Sequence, residues 1–193
     1  ATFDEIRARA VTFTYRDAAG APSFSVGPVD LTIPAGETLF VVGGNGSGKS
    51  TFLKLLCRLY PPDSGALELD GRPVGPAQAA AWRGLFSSVF TDFHLFDRLY
   101  GLEDRDPAEV QALLEDLGLG RKVRFEGGAF STTELSTGQR KRLALAVALL
   151  ERRPILILDE VAADQDQEFR ERLHREILPR LKREGRTLIV VSH

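Results

Sequence analysis

Apolar and polar residues alternate in Val11-Thr12-Phe13-Thr14-Tyr15 and again in Val29-Asp30-Leu31-Thr32-Ile33, with glycine and proline between the two stretches. Period-two alternation predicts half-exposed strands, and the intervening turn residues predict an antiparallel β-layer at the start of the chain. Leu39-Phe40-Val41-Val42 is different, a continuous apolar run ending in glycines. That is the pattern of a buried parallel strand entering a tight turn. A helix is predicted from near Lys49 to before Pro61-Pro62, and Ala66 to Leu69, closed by Asp70-Gly71, reads as a further strand and turn.

From about Pro76 to Gly128 the buried-strand signals fade and helical spacing takes over, as in Val110, Leu113, Leu114 and Leu117 before Gly118. Ser136 to Leu150 reads as an apolar helix with a cap at its start, and Ile155-Leu156-Ile157-Leu158 as a buried strand. Phe169, Leu173, Ile177 and Leu181 mark one face of a further helix, which Pro179 is predicted to bend or end. Thr187 to Val191 is a last, β-branched strand. The succession predicts an α/β fold with a mostly parallel sheet and an N-terminal antiparallel β-layer. Its core is expected at about 1–75 and 150–193, with a helical lobe inserted at about 76–149.

Composition narrows the picture little. The 193 residues suit one domain, and 43% hydrophobic with 27% charged residues is ordinary for a globular protein. The balance of 25 basic and 27 acidic residues gives no electrostatic reason to expect a nucleic-acid partner. No run approaches the ~20 apolar residues of a membrane span, and the N-terminus has no leader pattern. There is no methionine, position 1 included, which leads to the expectation that the sequence is a piece of a longer chain. The single cysteine, Cys57, sits in the apolar stretch FLKLLC and reads as core.

Two segments change the picture. Gly43-Gly44-Asn45-Gly46-Ser47-Gly48-Lys49-Ser50 matches G-x-x-x-x-G-K-[ST] between a predicted strand and a predicted helix. Glycines there let backbone N–H groups turn toward phosphate oxygens, the helix N-terminus adds positive potential, Lys49 reaches the β/γ-phosphates and Ser50 can ligate Mg²⁺. The strand Ile155–Leu158 then delivers Asp159 and Glu160 at its C-terminal end, where open α/β sheets place their ligands. Asp159 is the candidate holder of Mg²⁺ through water, and Glu160 the candidate catalytic carboxylate that polarises the attacking water. Alone, an Asp-Glu pair after a strand is more often a helix N-terminal charge pair.

Leu135-Ser136-Thr137-Gly138-Gln139 resembles the LSGGQ signature of the ABC family, and it lies ahead of the Asp159-Glu160 strand as in that family. Read from physics alone, Ser136-x-x-Gln139 is a capping box, and the two readings are compatible because a capped helix N-terminus also binds anions. The resemblance implies an ATPase binding ATP and Mg²⁺, with Gly43 to Ser50 and Thr51 cradling the nucleotide and Lys49 acting in catalysis. It implies that Ser136, Thr137, Gly138 and Gln139 face ATP held by a second such domain, in a head-to-tail dimer. It further implies that Tyr15 stacks on adenine, that Asp166 is the D-loop aspartate, and that His193 is the switch histidine at the γ-phosphate.

Three departures from the family pattern stand out. Thr137 replaces a signature glycine, Thr91 stands where most members have a metal-reaching glutamine, and Ala163-Asp164-Gln165-Asp166 replaces the usual SALD. VGGNGSGKST, FTDFHLFDRL and LSTGQRKRLAL together resemble the cyclic-peptide and siderophore-precursor exporters of Gram-negative bacteria, the pyoverdine and syringomycin exporter type. This implies a membrane domain fused upstream and a place at the cytoplasmic face of the bacterial inner membrane. Thr91 is then a candidate metal-site residue acting with Asp92 through water. Trp82 and the Phe93/Leu95/Phe96 cluster are expected to pack the helical lobe internally, the alternative being a seat for the membrane domain, and His94 is expected to be structural. The rival readings are a non-transport ABC ATPase acting on DNA or ribosomes, and a metabolic P-loop kinase. The first lacks its usual coiled coils, tandem domains or basic surface here, and the second would lack LSTGQ.

Overall fold

Ile155, Ile157, Ile189 and Val191 point into one hydrophobic cluster, while the alternating Leu156, Leu158, Leu188 and Val190 point into another. A sheet buried on both faces needs such continuous apolar strands, which explains why these two segments carry no polar alternation. The computed structural model describes residues 3–192. Among them a parallel sheet runs in the order β3 (Thr38–Val41), β10 (Thr187–Val191), β9 (Ile155–Asp159), β6 (Phe86–Val89). An antiparallel sheet runs in the order β2 (Pro22–Pro34), β1 (Glu5–Arg16), β4 (Ser64–Leu69), β5 (Arg72–Pro73), as the early alternation predicts.

One face of the parallel sheet packs with β1, α1 (Lys49–Leu56) and α2 (Ala79–Arg83). The other packs with α3 (Pro107–Asp116), α4 (Thr137–Leu150) and the helix that runs from α5 (Gln167–Arg172) to α6 (Leu178–Arg183). A short hairpin, β7 (Phe125–Glu126) and β8 (Ala129–Phe130), closes the inserted region beside α3. Pro179 neither ends nor breaks the last helix. It cannot donate to a carbonyl one turn back, and a π turn at Leu173–Ile177 carries the chain from α5 into α6.

The structure corrects three expectations. The helical lobe does not begin near 76, because β6 belongs to the parallel sheet and pairs with β9 from Phe86↔Ile155 to Val89↔Leu158. Two central serines, Ser87 and Ser88, break the apolar run that would have announced this strand. Trp82 belongs to the α1 side of the core and not to the lobe: it is 2% exposed and its Nε1 donates to the Leu56 carbonyl at 2.8 Å. β3 is not a fully buried strand. It pairs with β10 at the edge of the described sheet, and Phe40 is 52% exposed.

Cys57 is buried as expected, and burial pushes its thiol up to about 12, so it is an inert core group. Phe93 and Leu95 pack against the helical side of the core, whereas Phe96 is exposed, with the His94 ring edge-on to it.

Because the indole of Trp82 satisfies the carbonyl at the end of α1, Trp82→Phe is expected to lower the unfolding free energy by about 2 kcal/mol, from the lost bond and the gap left behind. A urea unfolding midpoint equal to that of the wild type would contradict this account of how α1 is anchored.

Candidate nucleotide site

The chain leaves β3, turns through Gly43 to Gly48 and enters α1 at Lys49. Gly48 is the N-cap of α1 with φ 91°, and no side chain caps that helix end. A Cβ at Gly48 would lie 2.6 Å from Val26 Cγ2 and 3.2 Å from the Phe24 ring, so the loop can sit against β2 only if this position is glycine. The Lys49 side chain folds back over the loop, its ammonium donating to the carbonyls of Gly43 at 2.7 Å and Gly44 at 3.0 Å. The result is a concave run of backbone with a buried cation at its base, beside a cleft of about 360 Å³. Asn45, Gly46, Ser47, Gly48, Lys49, Ser50 and Thr51 line that cleft together with Glu160 and Phe24.

Phe24 is a site residue that motif reasoning misses. It pairs across the strands with Tyr15, and the two rings lie 6.4 Å apart. Tyr15 itself is half-buried among Phe13, Phe24 and Tyr60, its hydroxyl 3.4 Å from Thr51 Oγ1. The pairing register brings an aromatic from each strand to the cleft's side, which neither strand's own pattern specifies.

β9 lies between β10 and β6, all five of its residues are buried, and it ends at Asp159. Asp159 is 1% exposed, and neither carboxylate oxygen has a hydrogen-bond partner among the described residues. Burial raises its pKa above the ordinary carboxylate value. The Ser50 hydroxyl and the Thr91 backbone N–H oppose that rise without completing a hydrogen bond, and the charges of Glu160 and Asp92 add to it.

A divalent cation fits this arrangement, because an unpaired buried carboxylate facing a serine hydroxyl lacks only a positive, oxygen-seeking partner. Mg²⁺ suits it in particular, being held by one or two carboxylates plus substrate phosphates and water. Thr91 is exposed on the loop after β6, and its neighbour Asp92 pairs with Lys54 of α1 at 2.7 Å. That ion pair holds the Asp92 pKa below its ordinary value and ties the Thr91 loop to α1. Sequence reasoning did not find Lys54.

Glu160 follows Asp159 with φ 56°, a left-handed conformation uncommon for a residue with a side chain, and it borders the cleft. His193, the expected switch histidine, lies outside the described residues.

The signature segment does not line this cleft. Ser136 caps α4 in a complete capping box: its Oγ accepts from Gln139 N–H at 3.4 Å, and Gln139 Oε1 accepts from Ser136 N–H at 3.3 Å. The capping reading is therefore correct, and an anion site at the same helix end remains compatible with it. Gly138 is pressed against the loop after β9, where a Cβ would lie 2.4 Å from the Asp164 carbonyl. Asp166 caps α5, accepting from Phe169 N–H at 2.8 Å, and pairs with Arg142. The Phe169 N–H, with help from Arg142, lowers its pKa.

The Asp159 geometry yields a test free of nucleotide. The folded chain holds a proton on Asp159 to higher pH than the unfolded chain does, so stability falls as pH rises through the folded pKa. Asp159→Asn removes that penalty. In magnesium-free buffer the variant is expected to melt above the wild type at pH 7, with the gap closing as pH falls through the raised pKa toward the ordinary aspartate value. A variant that melts no higher than the wild type at pH 7 would show that the buried carboxylate is not under electrostatic strain.

The family described as ABC transporter matches residues 26–163. The chain is 47% identical over 196 residues to the ATP-binding protein SyrD of Pseudomonas syringae pv. syringae, an alignment covering 100% of this chain and 35% of that protein. It is 40% identical over 182 residues to the ATP-dependent lipid A-core flippase of Alkalilimnicola ehrlichii, covering 86% of this chain and 30% of the flippase. A bacterial Atm1-family ABC exporter, solved with ATP bound, has the same fold with a TM-score of 0.82 at 24% identity, over 100% of this chain and 35% of the exporter. The chain thus spans about a third of the length of these relatives. With a glycine-rich loop entering α1, a buried aspartate at the end of β9 and a capped helix at Ser136 in one α/β core, the chain belongs to the ABC transporter family, as its ATP-binding domain.

Proposed function

We propose that this domain is the ATP-driven motor of an exporter whose membrane-spanning part lies elsewhere in the same polypeptide. The observation that carries this is the convergence of Lys49, Ser50, Asp159 and Glu160 on the cleft side of the Gly43–Ser50 loop. Lys49 and the loop amides bind the β- and γ-phosphates, Tyr15 and Phe24 supply an aromatic wall for the base, and Ser50 and Asp159 hold Mg²⁺. Bound Mg²⁺ neutralises charge that develops on the phosphate oxygens during transfer. Glu160 orients the attacking water and takes its proton. The Glu160 backbone conformation aims that side chain at the cleft.

Ser136, Thr137, Gly138 and Gln139 lie at a helix N-terminus away from the chain's own cleft, which favours their use on nucleotide held by a second copy, head to tail. Thr137 and Gln139 flank the capped end, with Asp166 securing the adjoining loop. His193 is assigned to the γ-phosphate by the family resemblance alone. No helix among the described residues is long and apolar enough to cross a membrane. The family resemblance assigns the domain to the cytoplasmic face of the inner membrane. The resemblance to the cyclic-peptide and siderophore-precursor exporter type, with SyrD more similar than the lipid A-core flippase, favours a peptide-like cargo.

Glu160→Gln keeps the side chain's shape and loses its charge. In the intact transporter it is expected to reduce ATP turnover by about 100-fold or more while leaving ATP affinity unchanged. Wild-type turnover would remove Glu160 from the chemistry.

Thr91 and Asp92 are assigned to the metal through water, with Lys54 holding their loop in place. Replacing both with alanine is expected to raise the Mg²⁺ concentration for half-maximal hydrolysis by about ten-fold, with ATP affinity preserved. An unchanged magnesium requirement would confine these residues to shaping the turn.

A further inference from the structure

Lys141, on the second turn of α4, is a buried cation that the phosphate and metal chemistry leaves unused. Its side chain is 8% exposed, and its ammonium reaches across to the loop that follows β9. It donates to the Glu160 carbonyl at 3.1 Å, to the Ala163 carbonyl at 3.3 Å and to Asp164 Oδ2 at 2.9 Å. An ammonium has three protons, so this set uses its full donor capacity.

The residues it holds are not ordinary. Glu160 has φ 56° and Asp164 has φ 63°, so both ends of this short loop are non-glycine residues in the left-handed region. Such conformations are unfavourable for residues with a side chain and persist only where the surroundings enforce them. One cation contacts both ends. Around it the same helix makes further ties: Gln165 Nε2 donates to the Gly138 carbonyl at 3.0 Å and to the Val161 carbonyl at 3.2 Å. Arg142 Nε donates to Gln165 Oε1 at 2.8 Å, and its guanidinium lies over the Phe169 ring.

Asp164 and Gln165 are residues at which the segment departs from the usual SALD. The departure thus has a physical counterpart, since both side chains are taken up by the signature helix.

We propose that Lys141 is a positioning residue for hydrolysis: by clamping the Glu160 carbonyl and Asp164 together, it holds Glu160 in its left-handed conformation and ties the direction of its carboxylate to the position of α4. The inference rests on Glu160 being the catalytic carboxylate. Its consequence is that the helix whose N-terminus faces a second copy's nucleotide also sets the base in its own chain. A shift of α4 along its axis, on engaging the partner's nucleotide, is transmitted to Glu160 through one side chain.

The test uses the intact transporter. Lys141→Met keeps the aliphatic length and removes the three donated bonds. The expected result is a kcat lower by about 10- to 100-fold, with KM for ATP and calorimetric ATP affinity within about two-fold of the wild type. Amide exchange across 160–166, measured without nucleotide, should quicken in the same variant. Asp164→Asn is milder, being at an exposed site, and should lower kcat by about two- to five-fold, with no further loss when added to Lys141→Met. If Lys141→Met does not fold, Asp164→Asn decides, and an unchanged kcat there overturns the proposal.

Glu160→Gln is measured alongside. Should it retain turnover, the catalytic assignment falls and the positioning role falls with it. Should it lose turnover while Lys141→Met keeps kcat within about two-fold, the positioning role alone is overturned. A parallel fall of kcat and ATP affinity in Lys141→Met would likewise overturn it, since that marks general damage to the fold.

Discussion

A carboxylate buried at the end of a central strand, with no hydrogen-bond partner among the described residues, is the constraint around which the rest of this domain is arranged. Asp159 reaches that place because β9 is apolar along its length and is covered on both faces of the sheet. The burial that stabilises the strand is therefore the same burial that penalises the charge at its end. A positive partner would remove the penalty, and the Ser50 hydroxyl and the Thr91 backbone are the groups that already oppose it.

Strain gathers at the same point in the chain. Asp159 carries the electrostatic penalty and Glu160, its neighbour, the backbone one. Elements distant in sequence flank both residues: Ser50 of α1 opposes the rise at Asp159, and Lys141 of α4 donates to the Glu160 carbonyl. Lys54 and Lys141 have parallel positions in this scheme. Each is a lysine on a helix that begins at a proposed phosphate contact, and each reaches back to a loop beside the Asp159-Glu160 strand end. The Lys54 side chain is largely covered but Asp92 is exposed, so solvent screens the pair and its main effect lies in restraint of the Thr91 loop.

Much of the fold was legible because its strands are either strictly alternating or continuously apolar, the two patterns that burial on one face or on both dictates. What escaped followed from pairing. β6 carries two serines, and only its place beside β9 and under α4 makes it a strand. Leu39 to Val42 is as apolar as a central strand, yet β3 sits at the edge of the described sheet. Trp82 looks like a residue of the inserted lobe until its indole is seen to serve the end of α1. In the site, the cradle and the Asp-Glu pair were legible because their chemistry depends on residues adjacent in sequence. Phe24, Lys54 and Lys141 were not, because each acts across a pairing register or a helix-to-loop gap that no local pattern encodes.

The same distinction explains which signature residue can vary. Family resemblance predicts glycine at both 137 and 138, and this chain has glycine only at the second. Thr137 is the first residue of α4 and is exposed, so a β-branched side chain there meets solvent. Gly138 is buried against the Asp164 carbonyl, where a methyl group would fall 2.4 Å from backbone that cannot move without disturbing the loop carrying Glu160. Its own carbonyl accepts from Gln165, which in turn is held by Arg142. A side chain at 138 would thus push apart the two segments that Lys141 draws together. Position 137 faces solvent and admits a hydroxyl-bearing, β-branched residue, whereas position 138 is set by packing inside the chain and admits no side chain.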